Sequence, residues 1–144
     1  MDQKLDYLIL KDKSLIIEYY KGKYNVDELI NFKIEVGKDK DYNPSYNVIH
    51  DFRDLEFMLE IEEVSKYVKL LTENKNYIGK RKSTMLTETP NQVTASLGFK
   101  LLKKDLPISV KVCSTMETAF NFINLPNNDW DLVESLIKKL RNTI

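Results

Sequence analysis

Apolar residues along this chain switch between two spacings, and the switches lay out its elements in order. Leu5 to Leu10 and Leu15 to Tyr20 are short apolar and aromatic runs on either side of Lys11, Asp12, Lys13 and Ser14, the pattern of an antiparallel hairpin. Asn25 with Glu28 makes a capping-box pair, and Val26, Leu29, Ile30 and Ile34 then fall on one helical face, with Gly37 as the stop. A polar loop runs from Lys38 to Ser45. Val48 and Ile49 mark a strand that ends near Asp51, and the apolar residues from Phe52 to Leu59 fit neither period. Ile61, Val64, Val68 and Leu71 recur at helical spacing from about Glu60, until Asn74, Asn76 and Gly79 close the helix.

Lys80 to Thr87 reads as another strand, and its basic start, Lys80, Arg81 and Lys82, reads as a solvated strand end rather than as a phosphate or partner contact. Thr89 caps the next helix, Pro90 takes its first position, and Val93, Leu97 and Leu101 form its stripe. Ile108, Val110 and Val112 alternate with polar neighbours as a strand. Ser114 with Glu117 then starts a helix whose inner face is Met116, Ala119, Phe120 and Ile123. Leu125 and Pro126 end that unit. Beyond them, Trp130, Val133, Ile137, Leu140 and Ile144 share one face of a last helix. Strands that alternate with helices predict an α/β fold with a mixed, mainly parallel sheet, an N-terminal antiparallel hairpin, about four packing helices and an extra C-terminal helix. Residues 1–126 make the domain. Residues 127–144 are a helical extension that packs on it or on a second copy.

Composition narrows the function classes. The chain has 144 residues, enough for one domain with a core that needs neither disulfide nor metal. Lys plus Arg and Asp plus Glu both number 22, so the formal net charge is zero. That balance argues against nucleic acid and against an anionic membrane surface as partners. Cys113 is the only cysteine, which excludes an intramolecular disulfide. No secretory start follows Met1, and no apolar run reaches the ~20 residues needed to span a bilayer, so a cytoplasmic protein is expected. One histidine and one cysteine do not make a zinc set, and neither glycine-rich phosphate motif occurs. No metal and no cofactor are expected.

The candidate chemistry gathers in YNVIHDFRDL, Tyr46 to Leu55. His50, Asp51, Arg53 and Asp54 lie where a strand of an α/β sheet runs out, the usual place for a ligand. His50 offers a general base, and Arg53 a clamp for a carboxylate or phosphate. Strand alternation sets His50 and Asp51 on opposite faces, which weakens an enzyme built from His50 with Asp51 or Arg53. The competing structural account has Asp51 or Asp54 capping the following turn and Arg53 paired with a neighbouring acid. The four residues are therefore binding candidates, with no catalytic assignment. Cys113 reads as a packed core thiol. The tyrosines Tyr19, Tyr20, Tyr24, Tyr42 and Tyr46 read as core and rim packing.

Four stretches carry a family resemblance: YNVDELINF after the hairpin, the strand with Asp51 and Arg53, the helix EIEEVSKYVKLL, and ISVKVCSTMETAFNFI. In this order, from about Leu5 to Leu125, they resemble the SpoIIAA-like branch of the STAS superfamily, whose members are also related to CRAL-TRIO lipid-binding domains. The resemblance implies a five-stranded sheet packed by helices and a non-enzymatic, regulatory or protein-interaction role. The partner would be another protein or a second copy of the chain. The lipid-binding relatives imply the alternative, a small apolar or lipid-like ligand. In the anti-sigma antagonists a serine just after the central strand is phosphorylated. The matching stretch here, Asp51 to Leu55, has no Ser or Thr, so no phosphorylation site is carried over.

Overall fold

The computed structural model describes residues 2–57, 60–77 and 79–142. Leu59 and Ile144 of the sequence pattern lie outside them. Among the described residues are five strands and five α-helices in the expected alternation, with short 3-10 turns at Lys11–Lys13 and Lys75–Tyr77. The strands are β1 (Lys4–Leu10), β2 (Leu15–Tyr24), β3 (Asn47–Phe57), β4 (Arg81–Leu86) and β5 (Ile108–Cys113). The helices are α1 (Val26–Gly37), α2 (Ile61–Glu73), α3 (Pro90–Leu102), α4 (Met116–Phe122) and α5 (Asn127–Asn142). The strands lie in the order β1-β2-β3-β4-β5. β1 and β2 pair antiparallel, and every later pairing is parallel.

This order decides where the helices go. Each parallel crossover advances one strand in the same direction, and such crossovers share one hand, so α1, α2 and α3 all fall on one face of the sheet. There Leu29, Phe32 and Val36 of α1, Val64, Val68 and Leu71 of α2 and Phe99 of α3 pack on Ile16, Tyr20, Val48 and Phe52. The opposite face carries Leu15, Ile17, Tyr19 and Ile49. Phe120 and Ile123 of α4 and Val133, Ile137 and Leu140 of α5 cover it. Covered on both sides, β2 is buried almost throughout its first six residues.

Local signals in the sequence explain several boundaries. Asn25 accepts from the Glu28 amide while Glu28 accepts from the Asn25 amide, which closes the capping box of α1. Thr89 and Gln92 close another at α3, with Pro90 in its first turn. At α4 the cap is Thr115 rather than Ser114, with its hydroxyl accepting from the Thr118 amide. Gly37 does not end α1 by a left-handed turn. It is the last helical residue, and a Cβ there would lie 2.1 Å from the Tyr77 ring.

Three other expectations are corrected. First, β3 does not end at Asp51 but runs on to Phe57. Tyr19 pairs with Asp51, yet Lys21 pairs with Asp54, so β3 carries one extra residue: a bulge. The bulge inverts the side-chain alternation, which is why residues 52–57 fit no simple period. Val48, His50 and Phe52 face the α1–α3 side, and after the bulge so do Leu55 and Phe57. Second, α3 does not bury Val93, Leu97 and Leu101. Leu97 and Leu101 are exposed, and Gln92, Ser96 and Phe99 face inward. The Gln92 side-chain amide donates to the carbonyls of Arg53 and Leu55 at 3.1 and 2.9 Å, so it supplies donors to carbonyls at the bulge. Third, α1 buries Phe32, Lys33 and Val36 beside Val26 and Leu29, a face rotated away from Ile30 and Ile34.

α5 has an energetic consequence. Ile137 is 1 % exposed against the sheet, whereas Leu132 on the same helix is 51 % exposed. Ile137→Ala is expected to lower unfolding stability by about 2–4 kcal/mol in denaturant titrations, and Leu132→Ala by under about 0.5 kcal/mol. Equal effects would contradict the packing of α5 on this face.

Candidate functional site

A charged cluster sits inside the α1–α3 face. Glu18 stands in the middle of the apolar run LIIEYY and is fully buried. The β2–β3 register puts it directly beside His50, on the same face of the sheet. Lys33 reaches the same point from α1, one turn after Leu29. The Lys33 ammonium lies 3.3 Å from Glu18 Oε2, and the Tyr20 hydroxyl donates to Oε1 at 2.6 Å. His50 Nε2 is 3.3 Å from the same Oε1, and its Nδ1 is 3.1 Å from the Thr84 carbonyl. A carbonyl only accepts, so Nδ1 carries the proton. With the ring neutral, Nε2 turns a lone pair toward Glu18, and protonation makes that contact an ion pair.

The surroundings set the charges. Burial works against ionising Glu18, but Lys33, His50 and the Tyr20 hydroxyl outweigh it and hold the carboxyl down at about 2. Burial pushes His50 from its ordinary 6.5 down to about 4, opposed by Glu18 and reinforced by Lys33 and Arg81. Burial also lowers Lys33, against the pull of Glu18. Burial and then Glu18 raise Tyr20 well above its ordinary value, so its hydroxyl serves as a hydrogen-bond donor.

Beside the cluster, between the sheet and α2 and α3, lies a cavity of about 80 Å³. Phe52, Tyr67, Leu71, Phe99 and Ile108 supply apolar wall, and Lys33, His50, Arg81, Ser83 and Ser96 supply polar groups. Arg81 is not the solvated strand end that three consecutive basic residues suggested. It is 4 % exposed, because strand alternation turns Arg81, Ser83 and Met85 inward together. One terminal nitrogen of Arg81 donates to the Asn43 carbonyl at 2.9 Å, and the guanidinium lies 5.5 Å from the centre of the Tyr42 ring.

The residues singled out in YNVIHDFRDL separate. His50 faces the cavity, while Asp51, Arg53 and Asp54 gather toward α5. Arg53 holds the fully buried Asp51 with three bonds, Nε to Oδ1 at 2.8 Å, NH2 to Oδ2 at 2.9 Å and its backbone amide to Oδ1 at 3.2 Å. Arg141 of α5 holds Asp54 with two bonds of 3.1 Å, and the Tyr19 hydroxyl donates to Asp54 at 2.6 Å. Burial works against the Asp54 charge, but Arg141 and Tyr19 hold its carboxyl below the ordinary range. Arg53 therefore pairs with a neighbouring acid. Neither Asp51 nor Asp54 caps a turn, because both are strand residues. Glu18, Lys33, Ser96 and Arg141 were absent from the sequence candidates, and Arg81 entered only as part of a basic run at a strand end. A lone Glu inside LIIEYY was the available signal for the first. Cys113 is buried, and burial pushes its thiol up. Among the described residues, no group of three or more His, Cys, Asp or Glu is placed to hold a metal ion, and no helix is long and apolar enough to cross a membrane.

The five-stranded sheet and its helices match an uncharacterised protein of the DUF3478 family with a SpoIIAA-like fold from Shewanella loihica PV-4. The TM-score is 0.54 at 14% sequence identity, over 84% of this chain and 93% of that one. The fold is SpoIIAA-like. At this identity the likeness concerns the fold alone. No protein-family profile matches the chain, and no curated protein matches it. In this SpoIIAA-like chain the segment between β3 and α2, residues 58–60, reads Met, Leu, Glu, so it too offers no hydroxyl for phosphorylation.

The buried cluster predicts an acid-sensitive fold. Between pH 6.5 and about 4 the unfolded chain binds a proton at His50 that the folded chain refuses, so stability falls as pH drops through that window. Glu18 adds a second loss as pH falls from 4.5 toward about 2. Each loss is on the order of 3 kcal/mol. In His50→Asn, chemical denaturation at pH 7, 5.5 and 4.5 is expected to show a flattened slope. A slope equal to the wild type would remove His50 as its cause.

Proposed function

We propose that this chain is a non-catalytic regulatory domain with a SpoIIAA-like fold that binds a small, largely apolar molecule inside the α1–α3 face. The observation that carries this reading is the cavity of about 80 Å³ walled by Phe52, Tyr67 and Phe99. Well-packed interiors have few voids larger than a water molecule. A void lined by convergent polar groups among aromatic side chains is the usual form of a ligand site. The same geometry speaks against catalysis. Glu18 is occupied by Lys33 and Tyr20, both ring nitrogens of His50 face oxygens, and the cavity-lining tyrosines Tyr20 and Tyr67 are held protonated by burial. No free general base among the described residues is presented to a substrate there, so the unpartnered Ser96 hydroxyl has no group to activate it. The size favours a ligand of a few heavy atoms over one of lipid length.

A second reading, a protein-interaction domain, is favoured by the outside of α2 and α3. Ile61, Leu97 and Leu101 are exposed there, and Ile61 lies against Gly98. Partner binding on this surface would sit directly above the cavity walls.

Native mass spectrometry of the purified protein separates the two readings. A monomer carrying a small molecule is expected, with the bound fraction falling at least about fivefold in Ala95→Leu, which adds bulk at the cavity wall. A bare monomer, or a dimer without ligand, would favour the interaction reading instead.

A further inference from the structure

We infer that the cavity is an anion site: it takes a small organic acid whose carboxylate is bound by Arg81 Nε and the Ser96 hydroxyl. This rests on the cavity being a ligand site, as proposed above, and adds the chemistry of the ligand.

Cations outnumber acids around the cavity. The residues lining the cavity include Lys33, His50 and Arg81 but no Asp or Glu. Glu18, just behind the wall, answers Lys33 and faces His50. Arg81 has no carboxylate at ion-pair distance among the described residues, although it is 96 % buried by its 4 % exposure. A buried cation without a counter-charge costs several kcal/mol, and interiors avoid that arrangement unless a partner arrives. The contacts Arg81 does make, to the Asn43 carbonyl and the Tyr42 ring, hold its position without neutralising it.

Hydrogen-bond accounting points to the same place. Arg81 Nε and Ser96 Oγ are both buried and have no hydrogen-bond partner among the described residues. Ser96 is 2 % exposed and faces the cavity from α3, while Arg81 faces it from β4. Orphaned buried donors are rare, and two of them on one cavity mark where acceptors belong. A guanidinium N–H and a hydroxyl match the two oxygens of a carboxylate.

Size and wall chemistry fix the rest of the ligand. The volume is about half of the roughly 150 Å³ that admits benzene to an engineered apolar cavity. A two-carbon acid such as acetate fits that space. Phe52, Phe99 and Ile108 then cover its hydrocarbon part. A phosphate dianion would need more donors than this largely apolar wall provides.

The test uses dialysed full-length protein and isothermal titration with acetate, its neutral isostere acetamide, and inorganic phosphate. Acetate is expected to bind at least about tenfold more tightly than acetamide, the ratio set by a charge-assisted hydrogen bond. Ser96→Ala, which removes only a hydroxyl, is expected to weaken acetate about tenfold and acetamide less, because the amide oxygen accepts only a neutral hydrogen bond. Arg81→Met is expected to abolish acetate binding, and Ser96→Ala decides the matter if Arg81→Met fails to fold. Equal affinity for acetate and acetamide would overturn the anion site while leaving the cavity a ligand site. Phosphate binding without acetate binding, or no binding of any of the three, would also overturn it. The mass-spectrometric search for a co-purified ligand tests the cavity reading on its own.

Discussion

The fold is organised around one unfavourable act, the burial of an ionised carboxylate in the second strand of the sheet. Taking Glu18 out of water costs several kcal/mol unless charge and hydrogen bonds replace its hydration. The replacement is assembled from three elements: Lys33 from α1, Tyr20 from the same strand, and His50 from β3. Each contact constrains its element. Lys33 reaches Glu18 only with α1 rotated to bury Phe32 and Val36, not Ile30 and Ile34. His50 faces Glu18 only in the observed β2–β3 register, and a slip of one residue would turn it to the opposite face. The ion cluster therefore specifies register and helix rotation, which hydrophobic contacts alone specify less sharply.

The bulge in β3 solves a related problem. Upstream of it, strict alternation separates His50 from Asp51. Downstream, the extra residue returns Leu55 and Phe57 to the α1–α3 core and brings Asp54 to the same side as Asp51. Arg141 can then approach both acids, at 3.1 Å from Asp54 and 3.9 Å from Asp51. The irregularity leaves carbonyls for Gln92 to satisfy, which explains why α3 turns a glutamine inward and leaves Leu97 and Leu101 outside. Ordinary amphipathic reasoning fails on this helix because hydrogen-bond demand at the bulge outweighs its apolar stripe.

These particulars show what the sequence made legible. The hairpin, the capping box at Asn25, the Thr89 cap with Pro90 and the alternation of β5 are local signals, and the element order followed from them. Arg81 was legible in principle, since Arg81, Ser83 and Met85 share one strand face, but the run Lys80-Arg81-Lys82 looked like a solvated end. Glu18 was visible as a charge in an apolar run. Its partners were not, because Lys33 lies fifteen residues away and His50 thirty-two, and only tertiary packing joins them. The bulge was visible only as a failure of period. Arg141 had no local sign at all, because its role depends on where α5 lies on the sheet.

The two faces of β3 consequently differ in charge bookkeeping. Toward α5, two acids meet two arginines, and each pair is closed by a two-point contact, Asp51 with Arg53 and Asp54 with Arg141. Both acids of β3 on that face are thus answered by an arginine. Toward α1–α3, Glu18 is the one acid among the described residues of a cluster that also holds Lys33, His50 and Arg81. Opposite charges closed in pairs stabilise or specify a fold, while an excess of one sign beside a cavity favours a ligand of the other sign. The stretch YNVIHDFRDL thus divides its labour. Asp51, Arg53 and Asp54 fasten the sheet to its C-terminal helix. His50 alone turns toward the side where the charge remains open.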